Sequence, residues 1–150
     1  MADEFTELAN SLRAFKNGLH DAQMLFGIKQ TNKFLALVKP RTPVDTGALR
    51  NFWEAKPIEK DGGLYLHIKN DRDYATHVEY GHRVVSHGKE AGYVEGRYMM
   101  TRSLIDLELS AEQDYMKEID DLLRRCGLDE HDIRRYRSHF GFGNEDTRWI

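Results

Sequence analysis

The chain has 150 residues, 40% of them hydrophobic, enough to bury one core and within the ordinary size range of a single domain. Its 22 basic and 25 acidic residues leave a formal charge of −3, which gives no electrostatic case for wrapping nucleic acid. One cysteine, Cys126, excludes an internal disulfide and any multi-cysteine zinc site, and fits a reducing compartment. The opening Met-Ala-Asp-Glu-Phe lacks a basic and then apolar leader, and nowhere do 18 apolar residues run together, so neither secretion nor membrane insertion is expected.

Phe5, Leu8, Leu12, Phe15, Leu19, Ala22 and Phe26 recur at steps of three and four, which predicts one apolar face of a long helix. That face suits either a helix laid over a sheet or a coiled-coil seam with a partner. Gly27 interrupts the pattern, and Ile28, Thr31, Leu35 and Val38 resume it in a shifted phase, so a kink or a change of packing is expected there, and an end at Val38 or Lys39, before Pro40.

Thr42-Pro43-Val44-Asp45-Thr46-Gly47-Ala48-Leu49-Arg50 then reverses the chain. Pro43 fixes its own φ and pushes Thr42 out of the helical region, Asp45 and Thr46 are short acceptors for nearby backbone N–H groups, and Gly47 tolerates positive φ. Pro43, Asp45, Thr46, Gly47 and Arg50 are therefore expected to hold a structural corner. Val44-Asp45-Thr46-Gly47 also matches the loop that carries the catalytic carboxylate of aspartic proteases. A single copy would require a homodimer to pair two such aspartates, and strands around the loop. The charged, proline-rich approach Lys39–Pro43 does not read as a buried strand.

Asn51–Ile58 and the alternating Leu64–Lys69 predict two strands, joined across Asp61-Gly62-Gly63 as a hairpin. Asn70–Asp73 is a second polar turn, and Tyr74, Ala75 and Val78 are spaced for a helical turn that Gly81 can cap, with a short strand as the alternative. His67, His77, His82 and His87 lie here beside Glu79, but the spacings of a zinc site are lacking, so no metal is expected. No phosphate loop follows a strand and no serine sits in a nucleophile elbow. Val84–Glu95 is polar, contains glycine and shows no periodicity, which predicts a protruding loop, either an assembly contact or a plain surface excursion. Arg83, Tyr93, Arg97 and Tyr98 near its base are residue types that anchor interfaces.

From Gly96–Tyr98 to Cys126 a helical period places Ile105, Leu109, Met116, Ile119, Leu123 and Cys126 on one face, with Gly127 as the stop. Residues 101–132 hold ten acidic and four basic side chains, a balance of −6, which predicts an acidic outer face. Asp129 can cap a short helix with Ile133, Tyr136 and Phe140, closed by Gly141-Phe142-Gly143 and carrying Arg134, Arg135 and Arg137. Trp149 near the end is an aromatic that a free tail would seldom need. The expected fold is α+β, with a long N-terminal helix and a long C-terminal helix packed on a small antiparallel sheet. Residues 1–126 form its main domain, and 127–150 form a C-terminal helical extension and tail.

The order of motifs, Thr42 to Arg50, then Tyr74-Ala75-Thr76-His77-Val78-Glu79-Tyr80-Gly81, then Gly96-Arg97-Tyr98-Met99-Met100 entering a final helix, resembles the minor tail components of siphophages, among the tailed bacteriophages. The resemblance spans about Phe5 to Cys126 and departs from the family pattern at Val84–Glu95 and after Cys126. It implies a structural virion protein of the head–tail connector, a neck or tail-completion protein without catalysis or cofactor. Such a protein would form a homo-oligomeric ring, a hexamer or dodecamer, against other neck, connector and tail proteins. DNA would pass through its lumen without sequence-specific binding, and assembly would take place in the host cytoplasm. Tyr80, Arg83, Tyr93, Arg97 and Trp149 are the candidate interface residues. The rival classes are a homodimeric aspartic protease using Asp45 and a host-derived module that binds a partner through its helix seam.

Overall fold

A computed structural model describes residues 2–139. The element order is α1 (Ala2–Arg41), α2 (Ala48–Asn51), β1 (Trp53–Lys60), β2 (Gly63–Asn70), α3 (Ala75–Tyr80), β3 (Gly81–Ser86), β4 (Lys89–Glu95), α4 (Met99–Arg125) and α5 (Glu130–His139). The fold is α+β, as expected, but with two two-stranded antiparallel sheets, β1–β2 and β3–β4, in place of one. The chain divides into two compact units, Met24–Gln113 and Met1–Gln23 with Asp114–Ile150. Phe140, Gly141-Phe142-Gly143, Trp149 and the side chains of Tyr136 and Arg137 lie outside the described residues.

In the unit Met24–Gln113 the core is Phe34, Val38, Leu49, Trp53, Met99 and Leu107, with Leu35, Ala55, Ile68, Ala75, Val78 and Met100 packed against it. The α1 stripe that feeds it is Thr31, Phe34 and Val38, whereas Ile28 is 46% exposed, so the resumed period is real but its phase is set by Phe34. α1 runs unbroken through Gly27. A β-carbon there would lie 2.8 Å from Pro57 Cβ and 3.2 Å from Leu64 Cδ2, so this glycine lets the β1–β2 hairpin approach the helix and does not break it. The helix also passes through Pro40 and ends at Arg41, later than expected. Pro40 is in the last turn, and both it and Ala36, whose carbonyl loses its partner, are exposed to water, where that loss costs least.

The β1–β2 hairpin forms as expected, in register from Trp53↔Asn70 to Lys60↔Gly63. Asp61 (φ 52) and Gly62 (φ 75) make the two-residue turn, and Leu64, Leu66 and Ile68 are more covered than Tyr65 and His67. Phe52, expected in the strand, instead closes α2 and lies under the Arg72 guanidinium, 3.4 Å from its ring centroid. The Val84–Glu95 loop is corrected to a second hairpin, β3–β4, turned by His87 (φ 51) and Gly88 (φ 76) and bulged between Val84 and Val85. No alternation betrays it because all seven β4 residues are exposed, along with four of the six in β3.

The face expected for α4 is half right. Within Met24–Gln113 its inward residues are Met99, Ser103 and Leu107, while Ile105 and Leu109 are 51% and 79% exposed. Serine hides the true stripe: Ser103 is fully buried and returns its hydroxyl to Met99 O at 2.6 Å. Arg41 reaches Ser103 Oγ at 3.1 Å and also bonds Asp106, and Lys33 reaches Ser110 Oγ at 2.6 Å, so polar pairs bridge α1 to α4 in this unit.

In the other unit, Ala22, Leu122, Leu123 and Ile133 are buried, and Gly18 gives Leu122 room that a β-carbon, 2.5 Å from its Cδ1, would take. Phe5, Leu8 and Leu12 are 75%, 51% and 58% exposed, so the expected apolar face is bare in the first turns of α1. Gly127 (φ 88) ends α4 as expected, with Leu128 N donating to Leu123 O at 3.2 Å, and Asp129 caps α5 by accepting from Asp132 N at 2.8 Å.

One buried hydroxyl ties helix, corner and sheet together. Thr42, 1% exposed, donates to Val38 O at 2.8 Å and accepts from Trp53 Nε1 at 2.9 Å, while the Phe34 and Trp53 rings meet edge to face at 6.0 Å. Thr42→Val should therefore strand the indole N–H and cost about 1–3 kcal/mol in urea unfolding. Thr42→Ser, which keeps the oxygen, should lose less; equal losses in the two variants would show that the hydroxyl is not the tie.

Candidate functional site

The corner between α1 and β1 turns its residues in two directions. Thr42 and Leu49 face the core, and Pro43, Val44, Asp45 and Thr46 face outward. Gly47 at φ 81 leads into α2, and Thr46 Oγ1 accepts from Ala48 N at a long 3.4 Å. Arg50 Nη2 donates to Thr42 O at 3.4 Å, and Asn70 Nδ2 to Leu49 O at 2.8 Å, which fastens the β2 end to the corner. Asp45, by contrast, makes no hydrogen bond among the described residues and stands in solvent. Between this corner and Tyr74 and Val78 lies an open pocket of about 540 Å³, walled mainly by Pro43, Val44, Ala48 and Leu49. The loop is entered from α1 and left into α2, unlike the strand-flanked loop that an aspartic dyad needs.

The second motif does its work through Glu79, which sequence reasoning weighs only as a metal ligand. Its side chain is buried at 3% exposure and accepts from Met100 N at 2.9 Å, Thr101 N at 2.8 Å and Thr101 Oγ1 at 2.6 Å. It is thus an imported cap on α4, a carboxylate placed where the orphan N–H groups and the positive end of the helix dipole converge. A signal for it is present in the sequence: the residue at the cap position is Tyr98, and the first turn of α4 holds no acidic side chain. The backbone locks the same junction, with Arg97 N donating to Val78 O at 2.8 Å and Tyr98 N to Glu79 O at 3.0 Å. Gly81 and Gly96 press together, since a β-carbon on Gly96 would lie 2.3 Å from Glu79 O and one on Gly81 would lie 2.4 Å from Val94 O.

From that root the β3–β4 ribbon extends with both faces and both edges open to solvent. Arg83 pairs with Tyr93 across the strands, and Val85 with Glu90; the extra residue of the bulge, Ala91, lies in β4, so alternation along β3 sets Arg83 and Val85 on one face, and Glu90 joins them there at 4.0 Å from Arg83. Tyr93 donates to Tyr80 O at 2.8 Å, and the Tyr80 and Tyr98 rings meet edge to face at 6.5 Å. The structure thus brings Tyr80, Arg83 and Tyr93 together around the ribbon base and leaves Arg97 exposed one residue before Tyr98, while Trp149 lies outside the described residues.

Among the described residues the histidines do not converge. His77 and His82 touch at 5.4 Å between centroids, and His87 Nδ1 meets Ser86 Oγ at 3.0 Å. Asp129, His131 and Asp132 do converge, within 4.8 Å, but all are exposed and Asp129 is already the α5 cap. Lys69 is held above the ordinary lysine value by its hydrogen bond to Asp71 and then by Glu54, an exposed pairing.

The family model described as "Bacteriophage HK97-gp10, putative tail-component" matches residues 7–81, half of the chain. The chain belongs to this phage tail-component family. No curated protein and no solved structure matches it. The family match takes in α1, the Thr42–Arg50 corner, the β1–β2 hairpin and the Tyr74–Gly81 motif, and stops where the ribbon begins. As a tail component of this family the protein is a virion protein that acts with other tail proteins. Among the described residues no helix is long and apolar enough to cross a membrane.

Glu79→Gln replaces one acceptor oxygen with a donor facing backbone N–H groups, and should cost about 1–3 kcal/mol in denaturant unfolding; a stability equal to the parent would show that the cap is dispensable. At the corner, Gly47→Val should cost about 1–3 kcal/mol through backbone strain. Asp45→Asn should stay within about 0.5 kcal/mol of the parent, against the stability loss that a turn-holding role would bring. A large loss for Asp45→Asn in thermal unfolding would restore that role.

Proposed function

We propose that this tail component is a structural subunit of the head–tail connector, at the neck or completing the tail, where copies of the chain form a ring. The observation that carries the reading is the β3–β4 ribbon, exposed on both faces and anchored through Glu79 and the Gly81–Gly96 contact. A two-stranded hairpin with no face covered is marginal in water, and a rigid root with a bare ribbon suits a part completed by a neighbour. Tyr80, Arg83, Tyr93, Arg97 and Trp149 are the proposed contact residues. Closed rings follow from heterologous contacts, one patch of a subunit meeting a different patch of the next. On this reading residues 1–126 form the neck domain, 127–150 an extension that reaches neighbouring proteins, and assembly takes place in the host cytoplasm.

The role is architectural and not catalytic. The one carboxylate in a protease-like motif, Asp45, stands exposed on a helix-flanked corner. A formal charge of −3 suits a wall that DNA passes without adhering, because phosphate binding needs clustered lysine and arginine. Electron microscopy of phage particles made with and without the protein should show tails missing or unjoined in its absence. Normal joined tails would remove it from the junction. A gel shift at low salt should show no micromolar DNA binding.

A further inference from the structure

The ribbon and the corner pocket carry complementary chemistry. The pocket walls are mostly apolar, with Val44 54% exposed and Tyr74 44%, and Asp45, which lines it beside Val44 and Thr46, has no partner among the described residues. The ribbon face offers Val85, 65% exposed, and two residues before it Arg83. Alternate residues on a strand are roughly 6–7 Å apart on one face. The Arg83 side chain is 73% exposed, and its nearest carboxylate, Glu90, is at 4.0 Å and itself largely exposed, a pairing worth little in water. An apolar side chain flanked by a cation thus matches an apolar hollow flanked by an anion, and the two patches are distinct, as a head-to-tail ring contact requires.

We infer that the β3–β4 ribbon of one copy docks in the Pro43–Leu49 pocket of a second copy, with Val85 entering the hollow and Arg83 meeting Asp45. This rests on the ring reading and names the surface on which it closes. The docking gives Asp45 the partner it lacks among the described residues and covers the ribbon face that those residues leave bare. It also assigns the pocket to protein and not to a small molecule.

Charge reversal tests it without touching the core, since both side chains are exposed and circular dichroism can confirm that each variant folds. Wild-type protein, Asp45→Arg, Arg83→Asp and an equimolar mixture of the two variants would be compared by size-exclusion chromatography with light scattering. Each single variant should weaken self-association by about tenfold or more, since like charges then face each other. The mixture should restore assembly, because each variant keeps the native charge that the other has lost and the two introduced charges are themselves opposite, so every ribbon finds a pocket of complementary sign. Single variants that assemble like the wild type, or a mixture that stays dissociated, would overturn the docking and leave the ring standing. Wild-type protein that remains a monomer at every concentration would overturn both.

Discussion

A single buried carboxylate sets the geometry of the middle of this chain. Glu79 sits at the end of a six-residue helix and directs its two oxygens at the first turn of a 27-residue one. A helix of that length starts with uncompensated N–H groups, and α4 brings no acid of its own to meet them. The cap comes from a residue 21 positions earlier, so α3, the ribbon root and α4 are held as one piece. The two glycines at the root follow from the same closeness, because the strands that leave α3 and return to α4 cross where no side chain fits.

The same long-range tie explains why the fold is legible in some places and opaque in others. The β1–β2 hairpin is plain because it has a covered face, so alternation and turn chemistry agree. The stop at Gly127 and the cap at Asp129 are plain because they are local. The β3–β4 hairpin is hidden because neither of its faces is covered, and a strand without a buried side leaves no period. The phase of α4 is masked because Ser103, and not an apolar residue, takes a core position on its own backbone bond. Gly27 has the look of a helix breaker when it is a contact made close by another element, a distinction that sequence spacing does not hold.

The candidate site divides in the same way. The Thr42–Arg50 motif is recognisable as a corner, yet the residue that binds it, Thr42, shows in the sequence only as the position before a proline, and the conspicuous aspartate faces water. Hydrogen bonds between residues 11 or 21 positions apart are invisible to periodicity. What the motif order does carry is membership in a phage tail-component family, which the family match over residues 7–81 bears out.

The bulge between Val84 and Val85 has a bearing on the life of the free subunit. A flat two-stranded ribbon with open edges invites stray pairing with any extended chain, the first step toward aggregation. Here the ladder slips midway, and Lys89 and Glu90 place charge beside the turn. The distortion and the charges together act as gatekeepers, keeping the ribbon from zipping onto its own kind while leaving it ready for a properly shaped seat.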